Sequence, residues 1–200
     1  RSEDAGTTLN GMTLASFGTG AATSTLYLNP MGLQEITIDS GANDASLNAG
    51  GVRTNYTLRE GGNQYHGVVF AAYAPGGLQS NNLTQDLISR GLAAPNKIKA
   101  NYDINPAFGG PILHDKIWFF TGHRRWGNAT QVAGIFHNAT QDGWVFTPDY
   151  DRPGFADYLQ RSQSIRLTWQ ATARNKIRLF FDYQNHCDCH RGLDTGSAGN

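Results

Sequence analysis

The segments with strand character in the second half of this chain are separated by gaps that alternate between long and very short. We predict five strands, at residues 65–74, 101–112, 116–126, 164–171 and 176–184. Residues 113–115 and 172–175 leave room only for tight turns, whereas residues 75–100 and 127–163 form long connections. A soluble meander has no reason to gather its long loops at one end, but outer-membrane β-barrels do so. The spacing therefore favours part of a membrane β-barrel, with the long connections and the residues after 185 facing outward.

The clearest pair of strands spans residues 164–184 and shows the two-residue period of a half-buried strand. In its first strand the apolar residues Ile165, Leu167 and Trp169 alternate with Arg166 and Thr168. The second strand repeats the pattern with Phe180 as the one exception, since Ile177, Leu179, Phe181 and Tyr183 alternate with Lys176, Arg178, Asp182 and Gln184. A lipid-facing strand beside a wet lumen needs this alternation, and a soluble sheet with one face on a core shows it too. The pattern predicts strands and leaves open which environment each face meets.

Composition and motifs narrow the class of protein. Only 16% of the 200 residues are charged, 11% are aromatic and the formal net charge is zero. Such a composition suits a barrel whose surface meets lipid, and it does not suit a nucleic-acid-binding protein. No apolar run reaches the roughly 20 residues of a transmembrane helix. Catalytic motifs such as Gly-x-Ser-x-Gly and His-Glu-x-x-His are missing from the sequence, so we expect neither an enzyme nor a cofactor.

The first sixty residues differ from the rest, being rich in Gly, Ala, Thr and Ser. We predict strands at residues 33–40 and 51–59, and a short helix at 83–90 within the first long connection. Gly61-Gly62-Asn63 breaks the strand pattern, as glycine-rich turns do. This break predicts a boundary between one unit at residues 1–62 and another at 63–200.

Three segments around that boundary resemble the end of the plug domain and the plug-to-barrel junction of TonB-dependent outer-membrane receptors. They are Leu-Gln-Glu-Ile-Thr-Ile-Asp at 33–39, Gly-Gly-Val-Arg-Thr-Asn at 50–55 and Arg-Glu-Gly-Gly-Asn-Gln-Tyr-His-Gly at 59–67. Phe-Gly-Gly-Pro-Ile at 108–112, followed by Asp-Lys-Ile-Trp-Phe-Phe at 115–120, is similar to the first barrel strands of the Oar-like branch. Because the matches occur in the family's order, the resemblance extends over residues 9–183.

The resemblance implies a mainly β fold, with the C-terminal part of a plug domain at residues 1–62. Residues 63–200 would supply about five antiparallel strands, the first of a large transmembrane β-barrel that is incomplete here. We expect most of the barrel beyond residue 200 and a TonB-binding segment before residue 1. A secreted or surface β-sandwich that binds carbohydrate or mediates adhesion is the alternative fold.

The resemblance also implies ligand capture and energised import across the outer membrane of a Gram-negative-type bacterium. The implied partners are the TonB energy-transducing complex, outer-membrane lipid and a ligand, with carbohydrate and peptide as candidate classes. Nucleic acid is not among them. An export or surface-assembly pore would share the fold, and the sequence does not separate it from an importer.

The second long connection carries aromatic residues beside charged ones. Rings can stack on sugar faces while carboxylates accept hydrogen bonds from hydroxyl groups, so we predict an extracellular ligand-binding loop. A loop whose rings pack on one another is the alternative. The candidate residues are Trp144, Asp149, Tyr150, Arg152 and Tyr158.

The polar face of the clearest strand pair supplies candidates for the inside of the barrel. Arg166, Arg178 and Asp182 are predicted to face the lumen. The simpler account of these residues is that they solvate the lumen or pair with charges of the plug, since polar lumen positions are normal in such barrels.

The segment His186-Cys187-Asp188-Cys189-His190 contains both cysteines of the chain. Thiolates and imidazoles bind zinc or copper, which makes His186, Cys187, Cys189 and His190 a candidate metal site. An oxidising location favours a disulfide instead. Because pairing the two cysteines with each other would close a very tight ring, we expect disulfide partners elsewhere. Reduced cysteines without a role are a further alternative.

Overall fold

The computed structural model describes residues 6–14, 27–40, 51–91, 95–140 and 144–190. Within these ranges the protein is mainly β, with nine strands and one short α-helix, α1 (Gln85–Ser89). Thr84 caps this helix, its Oγ1 accepting a hydrogen bond from the Leu87 N–H at 3.4 Å, so the predicted helix is confirmed in shorter form. None of the described helical residues belongs to a helix that is long and apolar enough to span a bilayer.

A four-stranded sheet contains the N-terminal strands β1 (Gly6–Leu9), β2 (Met12–Thr13), β3 (Leu33–Asp39) and β4 (Arg53–Leu58). Their order is β2-β1-β4-β3, with β1 parallel to β4 and the other pairs antiparallel. Leu9, Leu33 and Leu58 form its small buried core. The strands predicted at 33–40 and 51–59 are confirmed as β3 and β4, whereas β1 and β2 were not predicted.

A five-stranded sheet contains the remaining strands in chain order. They are β5 (His66–Pro75), β6 (Lys97–Leu113), β7 (Ile117–Asn138), β8 (Pro148–Gln170) and β9 (Lys176–Asp188). The connections from β6 to β7 and from β8 to β9 are too short for a crossover, so these neighbours are antiparallel. All five predicted strands and both tight turns are present.

The prediction of a loop at residues 127–163 is wrong. Strands β7 and β8 are 22 and 23 residues long, and only residues 139–147 connect them. The distal parts of both strands are partly buried on both faces, so their sequences do not need the apolar-polar alternation by which strands are recognised. Backbone pairing with a neighbouring strand, rather than side-chain pattern, defines them as strands.

The chain forms two compact units. The first contains Arg1–Val69, Asn105–Arg124 and Ser162–Gln184, and therefore the whole four-stranded sheet. The second contains Phe70–Ile104, Arg125–Arg161 and Asn185–Asn200, and therefore helix α1 and the distal parts of β7 and β8.

Candidate functional site

In the first unit, strand β8 buries its polar face and exposes its apolar face. Arg166 and Thr168 are 5% and 1% exposed, whereas the neighbouring Ile165 and Trp169 are 40% and 48% exposed. The two predicted faces are confirmed, and their environments are the reverse of those in a soluble sheet, where the apolar face packs on the core. Strand β9 continues the exposed apolar face, with Leu179 and Phe181 both more than half exposed.

The polar face carries a cluster of charges centred on Glu60, which lies in the segment between β4 and β5. Glu60 Oε1 accepts hydrogen bonds from Arg166 Nη2 at 2.7 Å and from Arg178 Nε at 2.6 Å. Lys176 Nζ donates to Glu60 Oε2 at 2.8 Å. Arg166 also donates from Nη1 to the main-chain oxygen of Leu58 at 2.9 Å. One carboxylate therefore joins three cations of two neighbouring strands to the end of the four-stranded sheet. We call Glu60, Arg166, Lys176 and Arg178 the Glu60 cluster.

The charge state of Glu60 follows from its burial and from the cations that surround it. Burial alone would raise the pKa of the carboxyl group, because it disfavours the ionised form. The hydrogen bonds from Lys176 and Arg178 and the positive charge of Arg166 outweigh burial, so the pKa of Glu60 lies below its ordinary value. Glu60 is therefore an anion at neutral pH, and the Glu60 cluster carries a net positive charge.

An open cleft of about 540 Å³ lies beside the Glu60 cluster. Its walls include the amides of Asn10, Gln34 and Asn55 together with Glu60 and Arg166. Amide and guanidinium groups both donate hydrogen bonds, and the Nε of Arg166 is buried with no partner among the described residues. The cleft is thus lined mainly by polar and charged residues.

A second contact joins residues 27–32 to the polar face of the five-stranded sheet. Buried Asn29 accepts hydrogen bonds at Oδ1 from Asn105 Nδ2, at 2.7 Å, and from the Met31 N–H, at 3.1 Å. Gly122 leaves room for this side chain, since a Cβ at that position would lie 3.0 Å from Asn29 Nδ2. The amide side chain therefore fixes the 3₁₀ helix Pro30–Gly32 against β6 and β7.

Asp182 belongs to a separate polar group on the same face. It accepts hydrogen bonds from Ser162 Oγ at 3.1 Å and from Gln184 Nε2 at 2.7 Å. Gln184 in turn pairs with the backbone of Tyr27, accepting from its N–H at 3.0 Å and donating to its oxygen at 2.8 Å. Of the three predicted lumen residues, Arg166 and Arg178 therefore meet at Glu60, whereas Asp182 lies near Tyr27. Both groups contact the N-terminal part of the chain.

The junction before β5 is held by Asn63. Its Oδ1 accepts hydrogen bonds from Trp118 Nε1 at 2.7 Å and from the Asp115 N–H at 3.0 Å, while its Nδ2 donates to Asp115 Oδ1 at 2.6 Å. Asp115 has a φ of 61°, a conformation that Asp tolerates better than most residues. A Cβ on Gly61 would overlap the main chain of Phe119. Asn63 and Gly61 thus set the position of the junction against the β6–β7 turn.

The predicted loop residues of the second unit do not form one loop site. Trp144 lies in the connection between β7 and β8 and is fully exposed, but Asp149, Tyr150, Arg152 and Tyr158 lie on β8. Their assignment to a loop is therefore wrong, for the reason given above for residues 127–163. Tyr150 packs edge-on against Phe136 with ring centroids 4.9 Å apart. The ring centroids of Tyr158 and Trp126 lie 5.0 Å apart.

The two cysteines form a disulfide with each other, which corrects the expectation of partners elsewhere. Strand β9 ends at Asp188 and the chain turns at residues 189–190, which brings the two sulfur atoms together. Disulfide sulfurs are not thiolate ligands, and no group of three or more His, Cys, Asp or Glu among the described residues is arranged to hold a metal ion. Of the candidate metal ligands, His186 lies 6.3 Å from the Tyr158 ring and His190 contacts Asp157.

Sequence reasoning missed the residues that join the two sheets, namely Glu60, Asn29, Asn63 and Asn105. A carboxylate directly before Gly-Gly gave a weak signal for Glu60, but its partners lie 106 to 118 positions later in the sequence. The missed β1–β2 hairpin had a stronger signal. Asn10-Gly11 is the residue pair typical of a two-residue turn with positive φ, and both residues have positive φ here.

Comparison with known proteins finds one clear similarity. Over 133 residues the chain is 33% identical to the TonB-dependent transporter Oar of Myxococcus xanthus. The match covers 62% of this chain and 12% of the length of that transporter. No family model and no solved structure matches the chain. The chain is therefore related to a TonB-dependent transporter, and the matched segment is a small part of that transporter.

Proposed function

We propose that this chain is part of a TonB-dependent transporter of the Oar-like type in the outer membrane of a Gram-negative-type bacterium. Residues 1–62 are assigned to the end of a plug domain and residues 63–200 to the first strands of a transmembrane β-barrel. The order of the two sheets along the chain supports this division, and so does the similarity to the Myxococcus transporter.

The observation that carries the proposal is the reversed burial of β8, whose exposed apolar face β9 continues. A strand in a barrel wall presents apolar side chains to lipid and polar ones to the interior. Here Trp169 and Phe181 are exposed while Arg166 and Thr168 are buried. Exposing these rings to water would be unfavourable by about 25 cal/mol per Å² of apolar surface, whereas hydrocarbon removes that penalty.

The alternative of a secreted β-sandwich is not favoured by this pattern. In a sandwich the apolar faces of two sheets pack on each other and the polar faces meet solvent. The buried face of β8 carries Arg166 and Thr168 instead, and Arg166 meets Glu60 rather than an apolar layer. A sandwich core around this face would bury the charged residues and leave the rings in water.

In the proposed transporter, the Glu60 cluster and the Asn29–Asn105 contact attach the plug to the inner wall. Ligand capture is assigned to the connection between β7 and β8 and to the start of β8, where Trp144 and Tyr150 are exposed and Asp149 adjoins Tyr150. Carbohydrate or peptide is the proposed ligand class, because exposed rings and carboxylates suit both. Energy for import would come from the TonB complex.

The experiment is to locate the full-length protein after separating inner and outer membranes, and to run the outer-membrane fraction unheated and boiled on a denaturing gel. A closed barrel resists the detergent until boiled, so we expect the unheated band to migrate faster. A soluble product with the same mobility in both lanes would refute the proposal and return the secreted β-sandwich as the working hypothesis.

A further inference from the structure

The end of β9 is fastened to β8 by contacts that converge on Asp157, all within the second unit. The Cys189 N–H donates a hydrogen bond to the main-chain oxygen of Asp157 at 3.1 Å. His190 Nδ1 lies 2.6 Å from Asp157 Oδ1, and the His190 ring lies 4.5 Å from that of Phe155. These contacts use the two residues that directly follow the last residue of β9. We call the contacts of Cys189 and His190 with β8 the β9 clasp.

The Cys187–Cys189 disulfide lies within the segment that forms the β9 clasp and closes over a single intervening residue. A disulfide stabilises a protein mainly by restricting its unfolded chain, and this effect grows with the length of the closed loop. A ring this small restricts the unfolded chain very little. Its effect on the folded protein is instead local, because the bond limits the backbone angles of the residues that present the Cys189 N–H to Asp157.

The disulfide is also open to a reactant. Cys189 is exposed and Cys187 is half-buried, so a thiolate in solution can approach the Cys189 sulfur without unfolding either strand. Thiol–disulfide exchange requires this access to one sulfur atom. Exposed disulfides are the ones that are commonly labile, regulatory or catalytic.

We propose that Cys187–Cys189 is a thiol–disulfide exchange site whose redox state controls the β9 clasp. The thiolate of a dithiol reductant bonds to Cys189 Sγ, and the electron pair of the broken S–S bond leaves on Cys187 Sγ. The second thiol of the reductant then displaces Cys189, so the reductant ends as a disulfide and both cysteines end as thiols, with the two protons coming from the reductant by way of solvent. The reduced segment gains backbone freedom and the Cys189 N–H bond to Asp157 is lost. This proposal does not depend on transport.

The test is hydrogen exchange of the purified full-length protein in detergent, with and without dithiothreitol. We expect reduction to raise the exchange rate of the Cys189 amide at least tenfold, while a peptide covering residues 176–183 of the same strand stays unchanged. The double variant Cys187→Ser/Cys189→Ser should exchange rapidly without reductant and should not respond to it. Unchanged exchange at Cys189 after complete reduction would overturn the proposal, as would an equal increase in residues 176–183.

A matched variant separates the disulfide from the ion pair. Asp157→Asn removes the charge opposite His190 but keeps the main-chain oxygen that accepts from Cys189. We expect Asp157→Asn to retain the response to dithiothreitol. A variant that exchanges rapidly even when oxidised would assign the clasp to the ion pair and overturn the role of the disulfide.

Discussion

Glu60→Gln should loosen the attachment of the four-stranded sheet by about 3 kcal/mol at neutral pH. In their ion pair the side chains of Arg166 and Glu60 are 6% and 28% exposed. Removing one partner of a buried ion pair costs about 3–5 kcal/mol, and the partial exposure of Glu60 favours the lower end of that range. Lys176 and Arg178 are 34% and 50% exposed, so solvent limits each of their pairs to about 0–1 kcal/mol. Glutamine keeps one oxygen that can accept from Arg166, which places the sum at the lower end of the range.

Native-state hydrogen exchange of the β4 amides measures this loss of stability, because β4 ends at Leu58, shortly before Glu60. A change of about 3 kcal/mol corresponds to a loss of protection of about a hundredfold, at 1.36 kcal/mol per factor of ten. Glu35→Gln is the matched control, since Glu35 is an exposed carboxylate of the same sheet. A loss below tenfold, or an equal loss in Glu35→Gln, would refute the reasoning.

The effect of Glu60→Gln should also depend on pH. The pKa of Glu60 is lowered from 4.5 in the folded protein, so the carboxylate contributes its full stabilisation above that value. The contribution is lost as the pH falls through the lower, folded pKa. Protection in the wild type and in Glu60→Gln should therefore converge below pH 4.5, and a constant difference down to strongly acidic pH would contradict the assigned charge state.

Three further substitutions test other parts of the structure. Asn63→Ala removes the acceptor of the exposed hydrogen bonds from Trp118 Nε1 and the Asp115 N–H, and should lower the free energy of unfolding by about 0.5–1.5 kcal/mol for each bond lost, measured by denaturant titration. Phe181→Arg places a charge on the proposed lipid face at the sixth residue of β9, and should destabilise the folded protein by about 2–4 kcal/mol near the bilayer midplane. The yield of heat-modifiable protein should therefore fall, and an unchanged yield would argue against lipid at this face. Gly11→Val forces a β-branched residue to a φ of 82°, and should destabilise the β1–β2 hairpin by about 1–3 kcal/mol, measured by amide exchange at Thr8 and Thr13.

The sequence predicted those parts of the fold in which the two faces of a strand meet different environments. Residues 164–170 alternate between apolar and polar because one face of the strand, which carries Ile165, is exposed, whereas the other face, which carries Arg166, is buried. In the distal halves of β7 and β8, both faces are partly buried, and no alternation marks them. The turns were predictable from their length alone, and the Asn10-Gly11 turn was predictable from its residue pair but was overlooked.

The candidate site was less predictable than the strands that carry it. Arg166 and Arg178 could be assigned to the inward face from the two-residue period of a strand, because this period depends only on neighbouring residues. Their partner could not, since Glu60 precedes Arg166 by 106 residues and local sequence does not specify a contact at such a distance. The same limit applied to Asn29 and Asn105, which are separated by 76 residues.

Charged and amide side chains join the four-stranded sheet to the five-stranded sheet, and such contacts respond to salt. An apolar contact would be insensitive to salt, whereas ion pairs between partly exposed groups weaken as salt screens them over about 8–10 Å. In the Glu60 cluster the buried Arg166 pair is shielded from such screening, but the pairs of Lys176 and Arg178 are not. Added salt should therefore remove part of the attachment while leaving Arg166 in place. Arg166 of β8 thus keeps its contact with Glu60 at high salt, whereas the contacts of Lys176 and Arg178 of β9 weaken.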